Sequence, residues 1–138
     1  MKFLKWGFVI LLAAFLVFMG AQKFGGPNPI FHYIANSTGM AFFEPQVRLL
    51  TGVAEIVAAA LLVWPRTRML GAYLSLAVLG GALLFHLSPF LGINAPVAFN
   101  ADGGYVKSPA LFIMASSFFV VTLALIYVER VTEKPPAE

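Results

Sequence analysis

Four stretches of the sequence are long and apolar enough to cross a bilayer as helices, and they restrict the fold more than any other feature. The apolar core of a bilayer is about 30 Å thick and requires about 20 predominantly apolar residues in a helix. Residues 3–22, 46–64, 69–88 and 109–128 meet or nearly meet this requirement. We therefore predict an all-α fold, an integral membrane antiparallel four-helix bundle, in which residues 1–138 form a single domain.

Composition excludes several classes of protein. The chain is 60% hydrophobic and 11% charged, whereas soluble domains are about 45–50% apolar and about 25% charged. The basic residues stand singly at the ends of apolar runs, so the net charge of +3 does not indicate a nucleic-acid partner. The chain has no cysteine, which excludes a disulfide framework, a thiolate metal site and a dithiol relay within it. Its two histidines lack the spacing of metal or haem ligands, so no metal site is predicted.

Positive charge predicts the orientation, because Lys and Arg accumulate in the cytoplasmic loops of membrane proteins. With four spans, the N-terminus, the turn at residues 65–68 and the C-terminus share one side. The basic residues of that side are Lys2, Lys5, Arg66, Arg68, Arg130 and Lys134. The opposite side carries Lys23, Arg48 and Lys107. The excess places both termini in the cytoplasm, and we expect the protein to lie in the bacterial cytoplasmic membrane.

The two outer loops are long, and each carries local signals. Asn28 followed by Pro29 is a typical helix start, and Gly39 is a suitable helix end. A short interfacial helix is therefore predicted in the first outer loop. The second outer loop is rich in Pro, Asn and Gly and is predicted to be irregular. Residues 129–138 are expected to form a frayed cytoplasmic tail.

Glu55 lies near the middle of the second apolar run. An ionisable side chain at mid-membrane costs about 2.5–3.5 kcal/mol, and such residues are functional candidates by default. On a helical wheel Arg48, Thr51 and Gly52 share one face with Glu55. Because small and polar residues face the interior of membrane bundles, this face is predicted to point inward.

The polar residues of the spans are predicted to form a funnel that opens on the outer side. At 1.5 Å per residue, Glu55 lies about 13 Å below the outer end of its helix, and His86 about 3–5 Å below the end of its own. A direct hydrogen bond between these two side chains is therefore not expected. The candidate site is a ring of Gln22, Lys23, Arg48 and His86, with Thr51 below it and Glu55 at the bottom.

Each of these residues also has a purely structural interpretation. His86 is suited to capping a helix end, and Lys23 and Arg48 to snorkelling toward the interface. Glu44, at a span boundary, is expected to be a solvated cap. Glu55 itself would then clamp two helices through a hydrogen bond to Ser75, Ser116 or Ser117.

Several of these residues also stand in a familiar order. The pattern comprises Lys23 with Gly25-Gly26-Pro27, the span Leu50-Thr51-Gly52-Val53-Ala54-Glu55, its exit Leu61-Leu62-Val63-Trp64-Pro65-Arg66, then Arg68-Met69-Leu70-Gly71-Ala72, and finally His86. This pattern resembles the DoxX and DoxX-like family of small four-helix membrane proteins. The resemblance implies an antiparallel four-helix bundle with Glu55 and His86 as a shared intramembrane polar pair and Lys23 as a shared basic residue. DoxD-type relatives are associated with thiosulfate:quinone oxidoreductase, and other members with membrane complexes of thiol and oxidant homeostasis.

Two hypotheses of function follow, and neither establishes an enzyme. In the first, the chain is a redox-associated subunit whose funnel binds a quinone-like or small anionic ligand. Glu55 and His86 are the candidate catalytic residues, with Glu55 exchanging protons. Lys23, Gln22, Arg48 and Thr51 are the candidate ligand-binding residues. The quinone would come from the membrane and the electrons from a partner protein, since the chain has no cysteine.

In the second hypothesis the chain is a non-enzymatic accessory or assembly subunit whose polar face docks another membrane protein. A small transporter or proton pathway is a weaker possibility, because four short spans would need to form a homo-oligomer. A Glu55→Gln change separates the first two hypotheses. It would abolish proton-coupled activity and largely preserve docking through neutral hydrogen bonds.

Overall fold

The four apolar runs form four long helices in the computed structural model, which describes residues 2–133. In chain order the elements are α1 Lys2–Gln22, α2 Pro29–Thr38, a 3₁₀ turn Ala41–Phe43, α3 Gln46–Val63, α4 Arg68–His86, β1 Ala95–Phe99, β2 Tyr105–Ser108 and α5 Ala110–Glu133. Helices α1, α3, α4 and α5 are each long and apolar enough to cross a membrane, which indicates a membrane protein. The protein is mostly helical, as predicted.

The four long helices surround a common core. Helix α1 packs on α3, α3 on α4, and α4 on α5, while a smaller contact between α5 and α1 completes the ring. The tight turn after α3 defines one end of this bundle, called here the turn end. The opposite end carries α2, the 3₁₀ turn and the two strands, and is called the cap end.

A dense apolar core fills the turn-end half of the bundle. Four of its fully buried side chains are Val9, Leu12, Leu62 and Leu125. Phe15 of α1 stacks on Phe118 of α5 with ring centroids 3.8 Å apart. Close packing of this kind leaves few voids larger than a water molecule.

Gly71 allows α3 and α4 to approach closely near the turn end. A Cβ at this position would lie 2.6 Å from the backbone nitrogen of Leu62 and 2.9 Å from the carbonyl oxygen of Ala58. Both atoms belong to the backbone of α3 and cannot rotate away. Only glycine therefore fits this crossing without separating the two helices.

A buried ionic cluster also lies at the turn end. Arg68 at the start of α4 donates to Glu129 of α5 over 3.0 Å, and its Nε donates to the carbonyl oxygen of Leu62. Lys5 of α1 lies 3.5 Å from the same carboxylate, and the Arg68 guanidinium stacks 4.4 Å from the Trp6 ring centroid. Glu129 was expected to lie in a frayed tail. Residues 129–133 are instead helical, while residues 134–138, including Lys134, lie outside the described residues.

The short helix in the first loop is confirmed. The Asn28 side chain accepts a hydrogen bond from the backbone N–H of Ile30, and Gly39 ends the helix with φ of 75°. Phe31 and Ile34 of α2 pack with Phe43, Leu91 and Ala95 in a second apolar core at the cap end.

The prediction of an irregular second outer loop was wrong. This loop forms two strands, so the fold is mostly helical and not all-α. Strands β1 and β2 form an antiparallel hairpin whose register runs from Ala95 opposite Ser108 to Phe99 opposite Tyr105. Gly103 supplies the positive φ of the connecting turn, where Asp102 accepts from the N–H of Gly104. The Tyr105 hydroxyl lies 2.6 Å from His32 Nδ1, so the hairpin docks on α2.

The Gly71 crossing gives a test of this packing. Gly71→Ala is expected to destabilise the fold by about 1–3 kcal/mol, the usual cost of overpacking a tight contact. The measurement is the unfolding midpoint in detergent, followed by circular dichroism. Gly7→Ala is the matched control, since a Cβ there meets nothing within 4 Å. Equal midpoints for both variants would contradict the close crossing.

Candidate functional site

A cavity of about 440 Å³ lies between the cap-end halves of the four long helices and the cap above them. Most of its lining is apolar. Helices and cap contribute large side chains to it, among them Met19, Phe31, Phe43, Phe85 and Met114. The polar side chains that reach it are few and include Gln22, Lys23, Thr51, Glu55 and His86. The structure thus brings five of the six sequence-predicted site residues to one cavity.

A buried ion pair joins α1 to α3 within this cavity. Lys23 Nζ lies 3.1 Å from Glu55 Oε1 and 2.9 Å from Oε2, and both residues are only 6% exposed. The ammonium also donates to the carbonyl oxygen of Met19 over 3.2 Å. Lys23 therefore bends back along α1 toward the bundle centre instead of snorkelling outward.

The two oxygens of the Glu55 carboxylate are not equivalent. Oε1 accepts a hydrogen bond from Lys23. Oε2 is in ionic contact with the same ammonium, is buried and has no hydrogen-bond partner among the described residues. The Lys23 ammonium therefore lies close to both oxygens and offsets the charge of the buried carboxylate.

Two glycines make room for the ion pair. A Cβ on Gly52 would lie 3.0 Å from Lys23 Cβ and 3.2 Å from the carbonyl oxygen of Gly20. A Cβ on Gly20 would in turn lie 3.1 Å from the carbonyl oxygen of Gly52. Because α1 and α3 cross closely here, Lys23 lies against α3 one turn from Glu55.

Arg48 does not line the cavity, contrary to its predicted place in the funnel ring. Its Nε lies 2.5 Å from Glu44 Oε1, and its Nη1 donates to the carbonyl oxygen of Lys23. The other carboxylate oxygen of Glu44 accepts from the backbone N–H of Asn28 over 3.0 Å. Glu44 is thus a mostly buried ion-pair partner and not a solvated cap. We call Lys23, Asn28, Glu44 and Arg48 the latch, because their contacts fasten the end of α1 and the start of α2 to α3.

His86 reaches the cavity from the end of α4. Its Nδ1 lies 3.0 Å from the carbonyl oxygen of Gly92, and its ring meets Phe112 edge to face at 5.8 Å. A carbonyl oxygen can only accept, so Nδ1 carries the proton and Nε2 of the neutral ring is an acceptor. His86 and Glu55 share the cavity without a hydrogen bond to each other, as their depths predicted.

The remaining candidate residues, all within the part of the chain that the structure describes, do not hydrogen-bond to Glu55 through their side chains. Gln22 is exposed at the edge of the cavity, and Thr51 donates its hydroxyl proton to the carbonyl oxygen of Val47. Ser75 and Ser117, two of the serines considered as clamp partners of Glu55, donate to carbonyl oxygens of their own helices. The partner that holds Glu55 is therefore Lys23. A helical wheel of α3 could not indicate this partner, because Lys23 follows α1.

A double-mutant cycle tests the ion pair. Lys23→Met and Glu55→Gln are each expected to lower stability by about 3–5 kcal/mol, because each leaves an uncompensated buried charge. The combined variant should recover much of this loss. Unfolding midpoints in detergent report all four proteins, and strictly additive losses would rule out a direct pair.

Comparison with known proteins places the chain in a family. No curated protein and no solved structure matches it. The model of a domain of unknown function, DUF8561, matches residues 12–100. The match covers more than half of the chain and includes the ion pair, the latch, His86 and Gly92. The chain therefore belongs to the DUF8561 family.

Proposed function

We propose that this protein is a four-span bundle of the bacterial cytoplasmic membrane whose cap-end cavity binds the headgroup of a quinone, as a redox-associated subunit. The observation that carries the proposal is that a buried Lys–Glu ion pair and a histidine line a mostly apolar cavity of about 440 Å³. Ligand sites in proteins typically measure about 300–1,000 Å³ and combine apolar walls with a few convergent polar groups.

The charges favour a neutral ligand over a small anion. Lys23 already has its counterion in Glu55, and Arg48 has its own in Glu44. An anion would enter a cavity in which no cation of the lining lacks a counterion, and the Glu55 carboxylate would repel it. A quinone carries no charge, and its two carbonyl oxygens need only hydrogen-bond donors.

The polar groups match both redox forms of such a ligand. An ammonium has three N–H donors. Lys23 uses them toward Glu55 and Met19, so one remains for a quinone carbonyl. The Glu55 carboxylate and His86 Nε2 are acceptors that suit the hydroxyls of the quinol. Reduction of a quinone consumes two electrons and two protons, and a redox partner protein would supply the electrons.

The resemblance of the sequence to the DoxX family supports the same proposal, because DoxD-type relatives are associated with quinone reduction. The alternative is an accessory subunit that docks a partner through its polar face. That function requires the polar groups at the surface, whereas Lys23 and Glu55 are buried and paired within the chain. The quinone-binding proposal is therefore the better supported one.

Quinone binding can be measured directly on the purified protein. In detergent, a short-chain benzoquinone is expected to raise the thermal midpoint and to give a one-to-one adduct in native mass spectrometry. The combined variant Lys23→Met/Glu55→Gln should bind at least about tenfold more weakly, because it removes hydrogen bonds to charged groups.

Glu129→Gln provides the matched control. Glu129 is also a buried carboxylate, but it lies in the turn-end cluster and not in the cavity lining. Its substitution should leave quinone affinity unchanged. A wild-type protein that takes up no quinone, or a combined variant that binds as tightly as wild type, would overturn the proposal.

The orientation is tested separately with single cysteines, for which the cysteine-free chain is ideal. Ala101→Cys lies in the exposed hairpin turn and Pro65→Cys in the exposed α3–α4 turn. A membrane-impermeant maleimide added to spheroplasts is expected to label position 101 at once. Position 65 should react only after the membrane is permeabilised. The reverse pattern would place the cap end in the cytoplasm.

A further inference from the structure

Four residues of the cavity lining are exposed: Gln22 and Val97 lie at the cap end, whereas Leu50 and Ala77 lie on the spanning helices α3 and α4. Leu50 of α3 is 69% exposed, and Ala77 of α4 is exposed as well. A residue that both lines a cavity and faces outward stands at the mouth of that cavity. Since α3 and α4 are neighbours in the ring, these two residues mark a lateral opening between them.

The glycines of α4 show how the opening arises. At Gly71, near the turn end, the backbones of α3 and α4 touch so closely that a Cβ would clash. At Gly81, nearer the cap end, a Cβ would meet nothing within 4 Å, although this residue also lines the cavity. The two helices are therefore in tight contact near their shared turn, whereas the space beside Gly81 belongs to the cavity.

The mouth is lined by apolar residues, whereas the polar groups of the cavity lie further inside. Leu50, Ala54, Ala77 and Gly81 line the cavity at this side and offer no side-chain hydrogen bond. Because α3 and α4 are apolar enough to span a bilayer, this mouth opens among lipid chains and not into water. A molecule lying in it would therefore keep its polar part within and its apolar part in the bilayer.

We infer that the ligand of this cavity is a membrane-borne amphiphile, a quinone with a long hydrocarbon chain, which enters between α3 and α4 and leaves its chain in the opening beside Ala77. This inference rests on the proposed function and specifies the class of quinone. A cavity of about 440 Å³ accommodates a headgroup, while the lateral mouth removes the need to enclose the chain.

The test closes the mouth after the protein has folded. Ala77→Cys is purified and then labelled with a bulky maleimide, which reacts at one site because the chain has no other cysteine. Val120→Cys is the matched control, because Val120 lies on α5 and not on either helix of the mouth, is 62% exposed and does not line the cavity. Each protein is assayed before and after labelling, so that folding and blocking are separated.

Two probes are compared, a decyl-substituted benzoquinone and the same ring without a chain. Labelling position 77 is expected to weaken binding of the decyl probe about tenfold or more and to leave the chainless ring nearly unaffected. Labelling position 120 should change neither. If wild type binds both probes but the label at 77 has no effect, or affects both equally, the lateral mouth is refuted and quinone binding stands.

Two further outcomes have distinct meanings. A wild-type protein that binds neither probe refutes the proposed function together with this inference. A phospholipid that copurifies stoichiometrically, and that the decyl probe cannot displace, would show that a lipid chain occupies the mouth and would overturn the quinone assignment.

Discussion

The Lys23–Glu55 ion pair is the interaction on which the cap end of this protein depends. Two opposite charges removed from water are tolerated only in close, well-satisfied contact. The contact requires α1 and α3 to cross at Gly20 and Gly52, where larger residues would hold the helices apart. The Arg48 guanidinium donates to the carbonyl oxygen of Lys23 and so holds the backbone of Lys23 in place, from which the side chain extends to Glu55. The α1–α3 crossing, the latch and the ion pair in the cavity are thus connected through shared residues.

The helices and the suspected acid could be predicted from the sequence because both are local signals. Apolar runs of membrane-spanning length leave few alternatives to a helix. Asn28 and Gly39 are typical capping residues and mark the two ends of α2. Glu55 stands out because an acid in such a run is rare. Depth along the helix also predicted that Glu55 and His86 would not bond directly.

The remaining features depend on contacts between distant parts of the chain. The direction in which Lys23 bends is set by Gly52 on another helix, and Arg48 left the predicted ring because Glu44 and the end of α1 compete for it. Pro96 and the many turn residues concealed the strands of the hairpin, since proline in a short run argues against a strand. Glu129 was missed because its partner Arg68 lies on another helix.

The dense apolar core at the turn end gives the bundle two unlike halves, one sealed and one hollow. Fully buried leucines fill the sealed half, and the ring of Lys5, Trp6, Arg68 and Glu129 closes its far end. In the part of the chain that the structure describes, the cavity thus ends at this core. A proton or ligand that used this cavity to reach Glu55 would therefore enter and leave on the cap side of the dense core.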